Sequence, residues 1–185
     1  LEESGALGRR ISASTMGFTL APRLNAAGRL GRADVAVRLL LTRDEGEAAR
    51  LAAELCRLNR ERQEIEHDIY EAARRQLSGE KPTAPIVLAA EGWHQGVIGI
   101  AASKLAEEFS LPTVMICLDG DSGKGSCRSC GDFNLFDALS ACSGWLEGFG
   151  GHALAAGLSI RREQVPGFRA ALDVLRAFDG RKIIV

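Results

Sequence analysis

Apolar positions along the chain change rhythm twice. Between Asp44 and Ser78, the residues Leu51, Leu55, Leu58, Arg62, Ile65, Ile69 and Ala72 recur at alternating spacings of four and three. That rhythm predicts one long amphipathic helix. Glu, Arg and Gln, good helix formers, fill the positions between them. Asp44 caps the start, Glu45 and Glu47 suit the first turn, and Ser78-Gly79 with Pro82 end it. Such a helix is roughly 50 Å long. Its narrow stripe, interrupted by Arg62, fits a strut between two bodies, and fits an ordinary surface helix equally well.

From residue 80 to 178 the rhythm becomes that of an α/β domain. "APIVLAA" and "LPTVMICL" read as short buried strands on either side of a helix, "QGVIGIAASKLAEEF". Together they suggest a right-handed β-α-β unit. "GKGSCRS" follows, then a helix over "FNLFDALSAC", the glycine-rich "GFGGHALAAG", a strand at "LSIRR" and a closing helix, "PGFRAALDVLRAF". Pro166 suits that helix's first turn. Ahead of the long helix, residues 1–43 are rich in Gly, Ala and Arg. Pro22 argues against a helical Ala21, and a short helix is expected from about Asn25. Asn25 and Arg29 then stand four apart on one face. Residues 179–185 form a tail.

Composition narrows the function classes. Hydrophobic residues are 46% of the 185 and charged residues 25%, as in a soluble globular protein. The net charge of -1 leaves no generally basic surface, so a polyanion must be met by a local cluster. No apolar run is long enough for a membrane span, and no signal-peptide pattern opens the chain. Cys56, Cys117, Cys127, Cys130 and Cys142 are odd in number and irregularly spaced, which suggests reduced thiols and a cytoplasmic protein. Leu1-Glu2-Glu3-Ser4 lacks an initiator Met and reads as the interior of a longer polypeptide.

Candidate chemistry lies in three short stretches. "GKGSCRSC" holds one C-x-x-C with no second pair at finger-like spacing, a poor sign for structural zinc. The next helix begins only near Asn134, too late for a thioredoxin-like thiol. Without the cysteines, Gly125 permits close backbone approach, Ser126 and Ser129 offer hydroxyls, and Arg128 offers a planar fork for phosphate. A solvated hairpin would use the same residues. In "GFGGHALAAG", Gly150 and Gly151 precede what reads as a short Ala-rich helix, whose amides and His152 could hold an anion; a tight turn with a solvated His explains it equally well. Trp93 and His94 sit at a strand-to-helix junction, where ligands often bind, although a packed junction is the commoner case. Trp93 is the sole stacking candidate among few aromatics, and packing suits it better.

"GFTLAPRLNAAGR", "LNRERQEIE", "GWHQGVIGIAASKL" and "GSCRS" followed by "FGGHALAAG" resemble, in order and separation, the RecJ single-strand-specific exonucleases of the DHH phosphoesterase superfamily. The resemblance implies an α/β DHH-associated domain, a mixed sheet flanked by helices, preceded by a long connecting helix. Residues 1–43 would close a DHH domain, 44–79 would be the connecting helix, and 80–178 the substrate-binding domain. It implies a single-stranded DNA strand in the cleft between domains, with Mn2+ or Mg2+ held by Asp and His ligands upstream of this chain. The family's Asp-x-Asp and Asp-His-His motifs are expected to be missing here, so no metal is expected on the chain, and the chain alone is expected to be inactive. The implied roles place Asn25 and Arg29 toward the metal cleft, and Ser126, Arg128, Ser129, Gly150, Gly151, His152 and His94 on phosphates. Cys127 and Cys130 fall where the family motif varies. The implied function is part of a 5′-to-3′ exonuclease with single-stranded DNA, and DNA-repair proteins, as partners, acting as a monomer. The alternatives are a phosphodiesterase of the same superfamily acting on oligoribonucleotides or cyclic dinucleotides, and a non-catalytic binding module.

Overall fold

A computed structural model describes residues 1–8, 10–77 and 81–176. The chain divides into two compact units, Leu1–Ile65 and Glu66–Val185, with the division inside the long helix.

In the first unit, helix α1 (Ala13–Thr15) runs through a π-helical turn (Met16–Leu20) into α2 (Ala21–Arg29), followed by α3 (Ala33–Leu41). Ala21 is helical, contrary to the expectation from Pro22, with its N–H donated to the Met16 carbonyl. The widened π turn just ahead absorbs a proline that an uninterrupted α-helix would not hold. Ala27, Val35, Leu51, Leu55 and Leu58 form this unit's core. Outside it, α3 exposes Val37, Leu40 and Leu41.

The long helix, α4 (Glu45–Gln76), has 32 residues, about 48 Å at the α-helical rise. Asp44 caps it as expected, its Oδ1 accepting the Glu47 N–H at 2.5 Å. Thr42 and Arg38 both donate to the Glu47 carboxylate, and these hydrogen bonds hold it below its ordinary pKa. Ser78 and Gly79, expected to stop the helix, lie outside the described residues, as do Ala177 and Phe178, expected in the last helix, and the tail.

The second unit is a five-stranded mixed sheet in the order β1-β2-β3-β5-β4. Its strands are β1 (Ile86–Glu91), β2 (Thr113–Asp119), β3 (Ser122–Arg128), β4 (Gly148–Gly151) and β5 (Ala155–Arg161). Only β1 and β2 are parallel, joined by α5 (Gln95–Phe109); every other pair is antiparallel. One face meets α6 (Leu135–Ala141) and α7 (Val165–Arg176), where Val114, Ile116, Leu139, Leu158, Ile160, Phe168 and Leu172 close the core. The other face meets α5 over β2 and β3. At the β1 edge, Arg169 donates to the Val87 carbonyl and Gln76 to that of Ala89, which shields the outer strand from further pairing.

"GFGGHALAAG" contains no helix. It is a hairpin, with Gly148, Phe149, Gly150 and Gly151 pairing against Ser159, Leu158, Gly157 and Ala156. Burial alternates through Ala155–Arg161, with Ala156, Leu158 and Ile160 inward, a period of two that overrides the helical propensity of alanine. Gly151 takes φ +144, and a Cβ there would lie 2.5 Å from the Ala155 carbonyl oxygen, so only glycine fits.

Candidate nucleic-acid interface

Strand β3 sorts the residues of "SGKGSCR" by parity. Gly123, Gly125 and Cys127 face the α6–α7 core; Ser122, Lys124, Ser126 and Arg128 face the other side. The glycines therefore serve packing and not the close ligand approach expected of Gly125. A Cβ on Gly125 would meet Leu158 at 2.7 Å, and one on Gly123 would meet Ile116 at 2.8 Å.

Arg128 does not wave in solvent. Its Nη1 donates to the Ser126 Oγ at 3.0 Å and to the Cys127 carbonyl at 2.8 Å. Gly99 of α5 lies against the same pair: a Cβ there would stand 2.8 Å from both Arg128 Nη2 and Ser126 Oγ. The helix thus holds the fork in place by lacking a side chain at that point. A partly fixed guanidinium loses less conformational entropy when it grips a ligand.

Beyond β3 the same face is low and open. Ser126 pairs with Gly157, which pairs with Gly150, so hydroxyl, glycine and glycine stand in one row across three strands. Arg128 pairs with Ala155, and the His152 N–H donates to the Ala155 carbonyl at 2.9 Å. Arg128 and His152 therefore share one end of the sheet, about 10 Å apart at two strand spacings. His152, Gly150 and Gly151 are all exposed, and β4 is an edge strand, paired on one side only.

Two expected members stand apart. Ser129 donates its hydroxyl to the Phe133 carbonyl, while its N–H donates to Leu154; both bonds pin the loop after β3. His94 is the N-cap of α5, its Nδ1 accepting the Gly96 N–H at 3.1 Å. It lies five residues, about 8 Å of helix, before Gly99. Trp93 is buried, its carbonyl accepting from the Cys117 thiol at 2.7 Å, so it is a packed junction and no stacking platform. In the first unit, Asn25 and Arg29 are exposed on α2 while Ala26 and Ala27 between them are buried.

The cysteines are free thiols. Burial pushes Cys127 up to about 12 and Cys142 up to about 11, and raises Cys117 as well. Among the described residues no three His, Cys, Asp or Glu side chains gather to hold a metal ion. An Asp-x-Asp spacing does occur, at Asp119 and Asp121, but it flanks the turn between β2 and β3, with Gly120 at φ +54. Gly99, Gly157 and Ser159, which lie on the same face, were not singled out from the sequence, and Lys124 counted only as one of the anion-suggesting residue types of "GKGSCRSC". Period-two counting outward from Ser126 would have found Lys124.

Residues 83–176 match the DHHA1 domain family. The chain belongs to that family. Along most of its length it is also similar to single-stranded-DNA-specific exonucleases named RecJ. It is 47% identical over 163 residues to that of Bacillus subtilis, covering 86% of this chain and 21% of the relative. It is 41% identical over 179 residues to that of Escherichia coli, covering 91% and 31%. Among solved structures, RecJ of Thermus thermophilus in complex with Mg2+ superposes at a TM-score of 0.85 with 36% identity, over 96% of this chain and 28% of that one. An exonuclease RecJ bound to manganese gives 0.81 at 37% identity, over 95% and 44%. The chain thus spans less than half the length of each of these relatives, and its DHHA1 domain has the mixed α/β sheet that the resemblance implied.

Proposed function

We propose that this DHHA1 domain grips the sugar–phosphate backbone of single-stranded DNA on the open face of β3, β5 and β4. It would do so as part of a RecJ-type 5′-to-3′ exonuclease. Arg128, held by Ser126 and Gly99, presents its fork to one phosphate. His152 and the exposed backbone of Gly150 and Gly151 take a place beside it at the same sheet end. Asn25 and Arg29, on the first unit, would contact a phosphate near the scissile bond.

Two of the similar solved structures hold Mg2+ or manganese, and such an ion would supply water activation and charge neutralisation in phosphodiester hydrolysis. The described residues of this chain do not fit such an ion. What they can do is bind, orient and neutralise the strand, contributions that matter for in-line attack at phosphorus. Among the described residues, the outward positions of β3, β5 and β4 carry no aromatic side chain, which fits a grip on the backbone and not on the bases.

The observation that carries this reading is the guanidinium fixed between Ser126 and Gly99 above a floor of glycines. Its test is fluorescence anisotropy of a labelled decathymidylate across a salt series. The chain should bind with a steep loss of affinity as salt rises. Arg128→Ala should weaken binding about tenfold or more, the scale of a lost charge-assisted hydrogen bond. Binding that ignores salt, or that Arg128→Ala leaves unchanged, overturns the reading.

A further inference from the structure

Lys124 lies two residues before Ser126 and on the same face of β3. Its Nζ donates to the Ser159 Oγ at 2.8 Å, across the β3–β5 ladder where the two residues are directly opposed. Four other cations of this unit are matched by carboxylates: Lys104 by Glu66, Arg74 by Glu108, Arg161 by Glu147 and Arg162 by Glu91. Among the described residues Lys124 has no carboxylate partner; its hydrogen-bonding partner is a neutral hydroxyl. The contrast with Arg161 is informative, since Arg161 shares this face and is drawn to Glu147 at 3.7 Å.

Cys117 of β2 stands directly opposite Lys124 on one side, and on the β5–β4 side the surroundings leave the ammonium open. Across from Ser159 stands Gly148, and next along the row stand Gly157 and Gly150; side chains at Gly148 and Gly150 would meet nothing within 4 Å. A cation with spare donors, a hydroxyl beside it and a bare approach make a place for an anion. Its position along the strand gives the geometry. Ser126, where the Arg128 fork is anchored, and Lys124 are one two-residue repeat apart, about 6.8 Å.

We propose that Lys124 and Ser159 form a second phosphate subsite, taking the phosphate next to the one held by Ser126 and Arg128. This rests on the reading of the Arg128 face as the strand-binding surface. The DNA backbone then follows the direction of β3, with consecutive phosphates meeting consecutive outward positions. Ser159 orients the lysine and shares the phosphate oxygen.

The experiment compares the chain with its Lys124→Gln, Lys124→Arg and Arg128→Ala variants, measuring decathymidylate affinity by anisotropy from low to moderate salt. Circular dichroism establishes that each is folded. Loss of one phosphate contact should make the slope of log affinity against log salt shallower by about 0.7 in Lys124→Gln. Lys124→Arg should restore it, a rescue that a merely structural role for an exposed lysine would not produce. If Arg128→Ala weakens binding while Lys124→Gln matches the parent in affinity and slope, the subsite is wrong and the strand-binding face stands. If Arg128→Ala binds as the parent does, both fall.

Discussion

A thiol reacts through its thiolate, so the raised values of Cys127 and Cys142 bear directly on what "GKGSCRSC" can do. Near pH 8 almost none of either residue is ionised, and both are buried, whereas Cys130 is half exposed at the end of the motif. Iodoacetamide at pH 8 followed by peptide mass mapping should label Cys130 and leave Cys127 and Cys142 unmodified in the native chain. Their labelling should rise only as the pH approaches 11 to 12 or when the chain is unfolded. Rapid labelling of Cys127 at pH 8 would revive a redox or metal role for the pair. The sequence left that pair ambiguous because adjacency along the chain does not tell which way side chains point. Parity does within β3, where Cys127 faces opposite to Ser126 and Arg128, while Cys130 lies beyond the end of the strand. Cys127 belongs to the core for the same reason that Ser126 and Arg128 do not.

At the scale of elements, the contact between α5 and β3 is where local packing becomes recognition. Gly99→Ala places a methyl group 2.8 Å from Arg128 Nη2 and Ser126 Oγ, closer than a Cβ can sit without movement. The flexible partner in that contact is the guanidinium, so it should be the group that gives way. The variant should therefore bind decathymidylate almost as weakly as Arg128→Ala, with a stability loss of about 1–3 kcal/mol typical of overpacking. Anisotropy and thermal melts on the same samples separate the two effects; parental affinity in a folded Gly99→Ala chain would show that the fork does not depend on the helix. The strands β1 and β2, with α5 between them, were readable because their apolar runs are continuous and punctuated by Gly and Pro. "GFGGHALAAG" was not, because Ala and Leu favour helix intrinsically. Only the pairing with β3 reveals that Ala156, Leu158 and Ile160 alternate into a core. The π turn before Pro22 is invisible for a similar reason: a proline announces a break, not the geometry that accommodates it.

At the scale of the molecule, the division inside α4 was illegible because composition marks where a helix begins and ends, whereas packing decides which body each part of it joins. The four-and-three spacing runs on unchanged past Arg62, yet Leu51, Leu55 and Leu58 belong to the core with α2 and α3. From Glu66 onward the partners change. Glu66 pairs with Lys104, Tyr70 and Arg74 both donate to Glu108, and the Arg74 guanidinium lies 5.4 Å from the Phe109 ring centre. Ile69 and Ala73 are buried. The family match begins at residue 83, so these contacts lie outside it although they belong to the same compact unit. A polypeptide beginning at Glu66 should accordingly fold and melt cooperatively, whereas one beginning at Thr83 loses Ile69, Ala73 and the partners of Glu108 and Lys104. Burial of the isoleucine alone is worth about 1.5–3 kcal/mol. With the ionic contacts the loss should reach about 3 kcal/mol or more, enough to lower Tm by at least about 10 °C in a domain of this size. Calorimetry on the two polypeptides checks it. Equal melting temperatures would mean that the C-terminal part of α4 is an appendage, and that the domain's natural boundary is where the family match begins.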